Sequence, residues 1–305
     1  MNFLSTALVC ALLSWTLPTG EQISGGWIAL FDGESLYGWT SENPDLWLIE
    51  NGTLVGNGGA TLRSNARFAS AQVSYQIQTA ACADWVTKTA VLEGGRFEIQ
   101  VPAGETWKIR NIFLKPEKMD SLFNGENLDQ WNLYPEMAGD FSVDAQEKQI
   151  LVKNGPGMLE TKAAYDNFVL QAAVFTKEKN LNSGIFFRCI PGEKMNGYEC
   201  QIHNGFKNDD RTQPLDAGTG AIFRRTTARY IPANDQEWFY VTIVADGPRL
   251  CTWVNGLQVT EWTDERKPNP NPRRGLRLEA GTIMLQAHDP TTDVMFRELR
   301  IQPLD

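Results

Sequence analysis

Two runs of the sequence decide the fold, NSGIFFRC at residues 182–189 and GYECQIH at residues 197–203. Apolar and polar residues alternate along both, which is the pattern of strands in a sheet with one buried face. A hairpin closed by the loop between them would place Cys189 opposite Cys200. In that register one face is apolar, and the other collects four polar or ionisable side chains: Arg188, Glu199, Gln201 and His203.

The predicted hairpin is centred between Lys194 and Met195, which brings Cys189 and Cys200 within bridging distance. A disulfide between them and two buried free thiols remain equally open. The five cysteines of the chain include no C-x-x-C pair, so a zinc knuckle or a thioredoxin-type site is disfavoured.

A second polar strand is predicted near the end of the chain, in IMLQAHD at residues 283–289. Gln286 and His288 share one face there, opposite apolar neighbours. The chain has only two histidines, His203 and His288, and each follows a glutamine by two residues. A merely solvated face is the alternative, but amides, imidazoles and a nearby aromatic such as Trp238 suit a sugar better. The pattern therefore favours a shared polar cleft for a carbohydrate.

The rest of the chain also has the composition of strands. Runs such as FVLQAAV at 168–174 and FYVTIV at 239–244 are rich in β-branched and aromatic residues, and Asn-Gly and Asp-Gly pairs punctuate them. The clearest hairpin is Val254-Asn255-Gly256-Leu257. Many short strands with frequent turns predict an all-β fold, either a β-sandwich or a jelly roll.

An internal repeat divides the chain. LFDGESL at 30–36, followed by Trp39, recurs as LFNGENL at 122–128, followed by Trp131. The copies differ in length, so we expect a truncated β-sandwich-like copy at about 26–116 and a full copy at about 119–305. The shorter copy would keep the opening and closing strands and lack the middle, which corresponds to roughly 177–279.

Composition excludes some functions. The 305 residues suit two domains or one large all-β domain with an appendage, and the net charge of −9 argues against nucleic-acid binding. The only basic run, Arg266 to Arg277, is interleaved with proline and asparagine and is expected to be a solvated loop. G-x-S-x-G, P-loop and dinucleotide-binding motifs are absent from the sequence.

The apolar segment Phe3 to Leu17 is too short to span a bilayer comfortably. We interpret residues 1–20 as a secretory signal peptide with cleavage between about 20 and 26, which predicts a secreted or periplasmic protein. No other stretch is long enough to cross a membrane, so the mature chain is expected to have no membrane span.

The longer copy resembles the 3-keto-disaccharide hydrolase family, also described as 3-keto-glucoside 1,2-lyase/3-keto-2-hydroxyglucal hydratase. The resemblance is carried, in order along 119–305, by LFNG (122–125) with Trp131, NSG (182–184) with Arg188, GYE (197–199) with Gln201-Ile202, TGAI (219–222), Trp238, WVNG (253–256) and Leu285-Gln286 with His288. It implies a concanavalin A-like jelly-roll sandwich, export and action on 3-keto sugars. Because the shorter copy lacks the central motifs, we expect no catalysis from it.

The reaction implied by the resemblance needs a base, a donor to an enolate oxygen and an acid for the leaving group. Glu199 or His288 would be the base, Arg188 would stabilise the enolate, and His203 would serve as acid or binding group. The sugar would be positioned by Gln201, Gln286, Trp238 and Asn182.

No cofactor is certain from the sequence. A divalent metal held by groups such as His203, His288, Glu199 and Asp289 stays open, and it would replace Arg188 in the electrophilic role. Two other functions also stay open on the same fold: a non-catalytic, lectin-like carbohydrate-binding module and a purely structural adhesion domain.

Overall fold

The computed structural model of the chain describes residues 17–304, and nearly all of its regular structure is β. The all-β expectation is confirmed. Most of the predicted signal peptide lies outside the described residues. No helix within 17–304 is long and apolar enough to cross a bilayer.

From residue 17 to Pro116, the first part of the described chain holds one helix, a 3-10 turn (Pro44–Leu46) and nine strands. They are α1 (Gly20–Ser24), β1 (Ile28–Ala29), β2 (Trp39–Thr40), β3 (Trp47–Glu50), β4 (Thr53–Asn57), β5 (Thr61–Ser64), β6 (Ala71–Thr79), β7 (Cys82–Leu92), β8 (Glu98–Gln100) and β9 (Thr106–Pro116).

The second part holds the remaining strands. They are β10 (Asp120–Ser121), β11 (Trp131–Leu133), β12 (Asp140–Asp144), β13 (Gln149–Lys153), β14 (Gly157–Thr161), β15 (Phe168–Thr176), β16 (Ser183–Cys189), β17 (Tyr198–Ile202), β18 (Phe206–Lys207), β19 (Asp210–Pro214), β20 (Trp238–Asp246), β21 (Arg249–Val254), β22 (Leu257–Thr263), β23 (Thr282–Ala287) and β24 (Asp293–Pro303).

Two antiparallel sheets form a sandwich in the second part. The larger has the order β12-β13-β24-β15-β20-β21-β22, with β10 on β24, and the smaller has the order β11-β14-β23-β16-β17. Leu170 of the larger sheet and Ile185 and Ile283 of the smaller one belong to a single buried core between them. This is the jelly-roll sandwich that the sequence predicts.

The first part repeats this strand order in shorter form. Its sheets run β3-β4-β9-β6-β7, with β1 on β9, and β2-β5-β8. Even a bulge recurs: Asn111 in β9 and Glu298 in β24 both have positive φ, at 51° and 52°, where each strand slips against its partner. In the second part β16 and β17 continue the smaller sheet beyond β23, whereas in the first part the corresponding sheet ends at β8. The copy bounds 26–116 and 119–305 stay predictions.

The first part covers the outer face of the larger sheet. Val169, Val244 and Trp253 point away from the sandwich core and pack into the core of the first part. The Trp253 indole Nε1 donates to the Ala29 carbonyl at 2.9 Å. Strands β15, β20 and β21 are therefore apolar on both faces, which explains their continuous apolar sequence.

Ion pairs complete the contact between the two parts. Asp246 accepts from Arg67 at 3.0 Å and from Arg96 at 2.9 Å, and the almost fully buried Asp32 pairs with Arg229 at 2.8 Å. The partners come from opposite parts of the chain in each case. The interface is thus polar at its edge and apolar at its centre.

The hairpin predicted at 254–257 is confirmed. Val254 pairs with Leu257, and Asn255 and Gly256 both have positive φ, at 46° and 78°. Two central residues with positive φ define the type I′ turn, whose twist matches that of the strands.

The register predicted for the 182–203 hairpin is wrong. Cys200 lies opposite Ile185 rather than Cys189, and Tyr198 lies opposite Phe187. Phe187 and Tyr198 are the last paired residues before the loop, so the centre of the hairpin lies two residues earlier in the chain than predicted. Cys189 and Cys200 are both free and buried, and they belong to different apolar clusters on the two sides of the sheet. The slip is an even number of residues, so the side chains of β17 keep their predicted faces.

Candidate functional site

An open cavity of about 400 Å³ lies on the outer face of the smaller sheet. Five of the side chains expected at a site line it together: Asn182, Glu199, Gln201, Gln286 and His288. Glu199 and Gln201 lie in β17, Gln286 lies in β23, His288 directly follows β23, and Asn182 directly precedes β16. Two predicted polar rows therefore converge, although β16 separates them.

Gly184 of β16 lies between those rows in the sheet. It pairs directly with Gln201 of β17, and the β16–β23 register brings Gln286 to its other side. A Cβ at this position would lie 3.0 Å from the Glu199 Oε1 atom. The missing side chain thus keeps the space between the two glutamines open.

Glu199 is a buried carboxylate held by a cation. Its side chain is 5% exposed, and its Oε2 lies 2.8 Å from the Nη2 of Arg273. Burial raises the pKa of Glu199, and the Arg273 charge acts in the opposite direction. The net shift is upward, so this carboxyl can hold a proton at a higher pH than an exposed glutamate.

His288 is oriented by the residue that follows it. Its Nδ1 lies 2.8 Å from the Asp289 Oδ2. Hydrogen bonds from Thr291 and His288 lower the pKa of Asp289 to about 2. The carboxylate is therefore charged in neutral solution and favours the tautomer with a proton on Nδ1, which leaves the Nε2 lone pair free.

Three amide oxygens in the cavity have no hydrogen-bond partner among the described residues. They are Asn182 Oδ1, Gln201 Oε1 and Gln286 Oε1, and each is buried. Buried polar atoms are normally paired, and leaving one unpaired costs free energy. Hydroxyl donors of a ligand that reached these oxygens would satisfy them.

Arg188 is not part of the cavity, and its predicted position on the polar face is wrong. A bulge between Phe186 and Cys189 gives Arg188 a φ of 47° and turns its side chain away. The guanidinium is fully buried and donates to Asp166 O at 2.6 Å and Gly247 O at 2.7 Å. Arg188 ties loops together and is unavailable to a substrate.

His203 and Trp238 also lie outside the cavity lining. His203 follows the end of β17, and its Nδ1 accepts from the Gly205 amide at 3.2 Å. Trp238 begins β20 in the other sheet, where the Arg297 guanidinium lies 3.8 Å from its ring centroid. The sequence pattern does not report that Trp238 belongs to the opposite sheet, nor that β17 ends one residue before His203.

The basic run 266–277 is not the solvated loop that the sequence predicts. Arg273 reaches over the small sheet, donates to the Met195 carbonyl at 2.9 Å and lines the cavity with Arg224. Arg266 pairs with the fully buried carboxylate of Asp264 at 2.7 Å. Alternation of basic residues with proline and asparagine was the available signal, but it does not distinguish a solvated loop from one packed on a sheet.

The described residues contain no group of three or more His, Cys, Asp or Glu side chains able to hold a metal ion. The Glu199 carboxylate pairs with the Arg273 guanidinium, and the His288 imidazole pairs with the Asp289 carboxylate. Glu199 and His288 line the same cavity, but between residues 17 and 304 no three of the possible metal ligands are grouped so that they could hold an ion.

The chain belongs to a family defined by the 3-keto-alpha-glucoside-1,2-lyase-like domain, whose sequence profile matches residues 118–302. The match covers more than half of the chain and includes every residue of the cavity. Family membership identifies a carbohydrate-active protein related to glycoside-cleaving enzymes. No curated protein matches the chain.

Solved structures resemble the sandwich. A protein from Parabacteroides distasonis provisionally described as a glycosyl hydrolase is 19% identical, with a TM-score of 0.49 over 61% of this chain and 94% of that one. Another from the same organism, with the same description, is 24% identical, with a TM-score of 0.48 over 62% and 100%. A carbohydrate-binding module from Bacillus subtilis is 13% identical, with a TM-score of 0.42 over 58% and 98%.

Proposed function

We propose that the protein cleaves 3-keto-glucosides by base-catalysed β-elimination across C1–C2 and hydrates the resulting 3-keto-2-hydroxyglucal. The observation that carries the proposal is one cavity, within the family-matched region, that holds an oriented imidazole, a buried carboxyl and unpaired amide oxygens. A ketone at C3 acidifies the C2 hydrogen, so the reaction needs no stronger base than these residues supply.

His288 is the proposed base. With Nδ1 bonded to Asp289, Nε2 takes the proton from C2, and the C2–H electron pair forms an enolate whose charge lies on the C3 oxygen. The electrons then return, the C1–O bond breaks, and a C1–C2 double bond forms. The Asp289 carboxylate, bonded to Nδ1, orients the imidazole and stabilises the imidazolium that forms.

Arg273 takes the electrophilic role that the sequence gives to Arg188. Its Nη2 and Nε are bonded to Glu199 and Met195, whereas Nη1 has no hydrogen-bond partner among the described residues. An N–H donor aimed at the ketone oxygen stabilises the enolate more than the ketone, which lowers the barrier.

Glu199 is the proposed acid for the leaving group. In this role the Glu199 carboxyl donates a proton to the C1 oxygen as the C1–O bond breaks, and burial, which raises its pKa, assists protonation of the carboxyl. We therefore expect Glu199→Gln to lose about 100-fold in kcat with an alkyl or sugar aglycone. With a nitrophenyl aglycone, which leaves without protonation, the loss should be under about tenfold. Equal losses with both aglycones would contradict this role.

Incubation of the protein with a 3-keto-glucoside tests the function itself. The expected result is release of the aglycone with transient accumulation of the unsaturated glucal, detected by its ultraviolet absorbance. Binding of the sugar without turnover, with or without added divalent metal, would instead indicate the carbohydrate-binding alternative. If the protein neither binds nor cleaves the 3-keto-glucoside, the structural adhesion role is the alternative that remains.

We also propose that the protein is exported and that the shorter copy carries no site of its own. Export is supported by the apolar segment 3–17. Cleavage between about 20 and 26 would fall at α1, where Thr19 caps the helix, so it must precede folding. The mass of the N-terminal peptide in the mature protein checks this.

The shorter copy has no strands in the places of β16 and β17, which carry the cavity.

A further inference from the structure

Asp216 lies beside the cavity and holds two of its amide side chains. Its Oδ2 accepts from the Asn182 Nδ2 at 2.5 Å and from the Gln201 Nε2 at 2.8 Å. The same Gln201 nitrogen also lies 3.2 Å from the Asp216 main-chain oxygen. One carboxylate oxygen of Asp216 therefore accepts hydrogen bonds from the NH₂ groups of both amides.

This arrangement decides which end of each amide faces the ligand. An amide that gives its NH₂ group to a carboxylate must turn its carbonyl oxygen the other way. Asn182 Oδ1 and Gln201 Oε1 are buried and have no partner among the described residues, and the Gln201 side chain is almost fully buried. Without Asp216, either amide could rotate and present NH₂ instead.

The backbone around Asp216 is shaped for this contact. Asp216, Ala217 and Gly218 have φ values of 46°, 67° and 81°, a run of left-handed residues that L-amino acids rarely adopt. A Cβ on Gly218 would lie 2.5 Å from Ile231. The tight turn brings an otherwise exposed carboxylate against β17.

We propose that Asp216 is a positioning residue that makes Asn182 and Gln201 a paired hydrogen-bond acceptor for two hydroxyl groups of the sugar. The inference deepens the proposed function and rests on it for the identity of the ring. It assigns the substrate class more narrowly: the ring must present hydroxyl donors, and groups that only accept hydrogen bonds are rejected. A site built to bond a hydroxyl discriminates strongly against analogues that cannot donate.

The test compares 3-keto-glucosides that carry hydroxyl or fluorine at C4 and at C6, because fluorine cannot donate. Three variants are measured: Asp216→Ala, Asp216→Asn and Asp209→Ala. Asp216→Asn keeps a carbonyl oxygen that can accept from both amides. Asp209 is exposed, has a φ of 54°, and makes no hydrogen bond within residues 17–304, so Asp209→Ala introduces a similar backbone strain away from the cavity.

We expect Asp216→Ala to raise KM with little change in kcat and to lower the hydroxyl-over-fluorine preference in kcat/KM about tenfold at one or both positions. Asp216→Asn should keep most of the preference, and Asp209→Ala should keep all of it. A preference that is unchanged in Asp216→Ala, or lost equally in Asp209→Ala, would overturn the proposal.

The proposed elimination chemistry can be wrong while the positioning role of Asp216 is right, and the experiment separates the two outcomes. If the wild-type protein does not turn over the 3-keto-glucoside, the elimination chemistry is wrong, and the same preference is measured as binding of methyl α-glucoside and its 4- and 6-deoxyfluoro analogues. A tighter binding of the hydroxyl forms that disappears in Asp216→Ala then still supports the positioning role. Absence of binding by all of these sugars would reject it.

Discussion

His288→Asn is expected to abolish most of the turnover of a 3-keto-glucoside, with a fall in kcat of about 10²- to 10⁴-fold. The substitution keeps a side chain that can still bond Asp289 but removes the free Nε2 that would take the C2 proton. KM should change much less, because the amide acceptors and Arg273 remain. Steady-state kinetics with one aglycone is sufficient to measure the effect.

The chain offers a matched control in its other histidine. His203→Asn changes the same side chain outside the cavity lining, so its kcat should stay within about threefold of the wild type, well below the effect of losing a general base. Asp289→Asn should fall between the two, because it removes orientation and charge rather than the base. An equal loss in the two histidine variants would contradict the assignment of the base.

Trp253→Ala is expected to lower the free energy of unfolding by about 3–5 kcal/mol. The indole is 1% exposed and packs among residues from both copies of the repeat, with its N–H bonded to Ala29. Its removal leaves a cavity at the centre of the contact between the two parts and one unpaired carbonyl. Urea unfolding followed by circular dichroism measures the change.

Trp238→Ala is the control for this prediction. Trp238 lies in the same large sheet but is only partly buried, against Phe175 and Arg297. Trp238→Ala should therefore lower the free energy of unfolding by about 1 kcal/mol, nearer the average for point substitutions. If Trp253→Ala cost no more than Trp238→Ala, the packing of the first part on the larger sheet would not contribute to stability as we describe.

The sequence could predict the site because alternation along a strand is independent of small register errors. Glu199 and Gln201 stay on one face of β17 whether Cys200 lies opposite Cys189 or, as observed, opposite Ile185, since the two registers differ by an even number of residues. Gln286 and His288 line the same cavity because β23 lies in the same sheet as β17, with only β16 between the two strands.

The misses have local causes that alternation does not report. Arg188 has the correct spacing for the polar face, but a bulge with positive φ reverses its direction. Trp238 lies on a strand of the opposite sheet, and sheet membership depends on contacts that are distant in sequence. Arg273 and Asp216 come from loops, where no periodicity relates the order of residues to their positions in space.

The most direct test of the account is cleavage of a 3-keto-glucoside in D₂O, with the sugar product examined by proton NMR. The account predicts that the C2 hydrogen is lost and, after hydration, replaced by deuterium, because the proton on C2 is exchanged before C1 is rebonded to oxygen. Free 3-keto-glucose kept in the same D₂O buffer without the protein reports the background exchange at C2, which lies between the ketone and the C1 aldehyde of the open-chain sugar, and the product is examined before that exchange is significant. A cleaved product that keeps its C2 hydrogen would show direct displacement at C1 and would contradict elimination from this cavity.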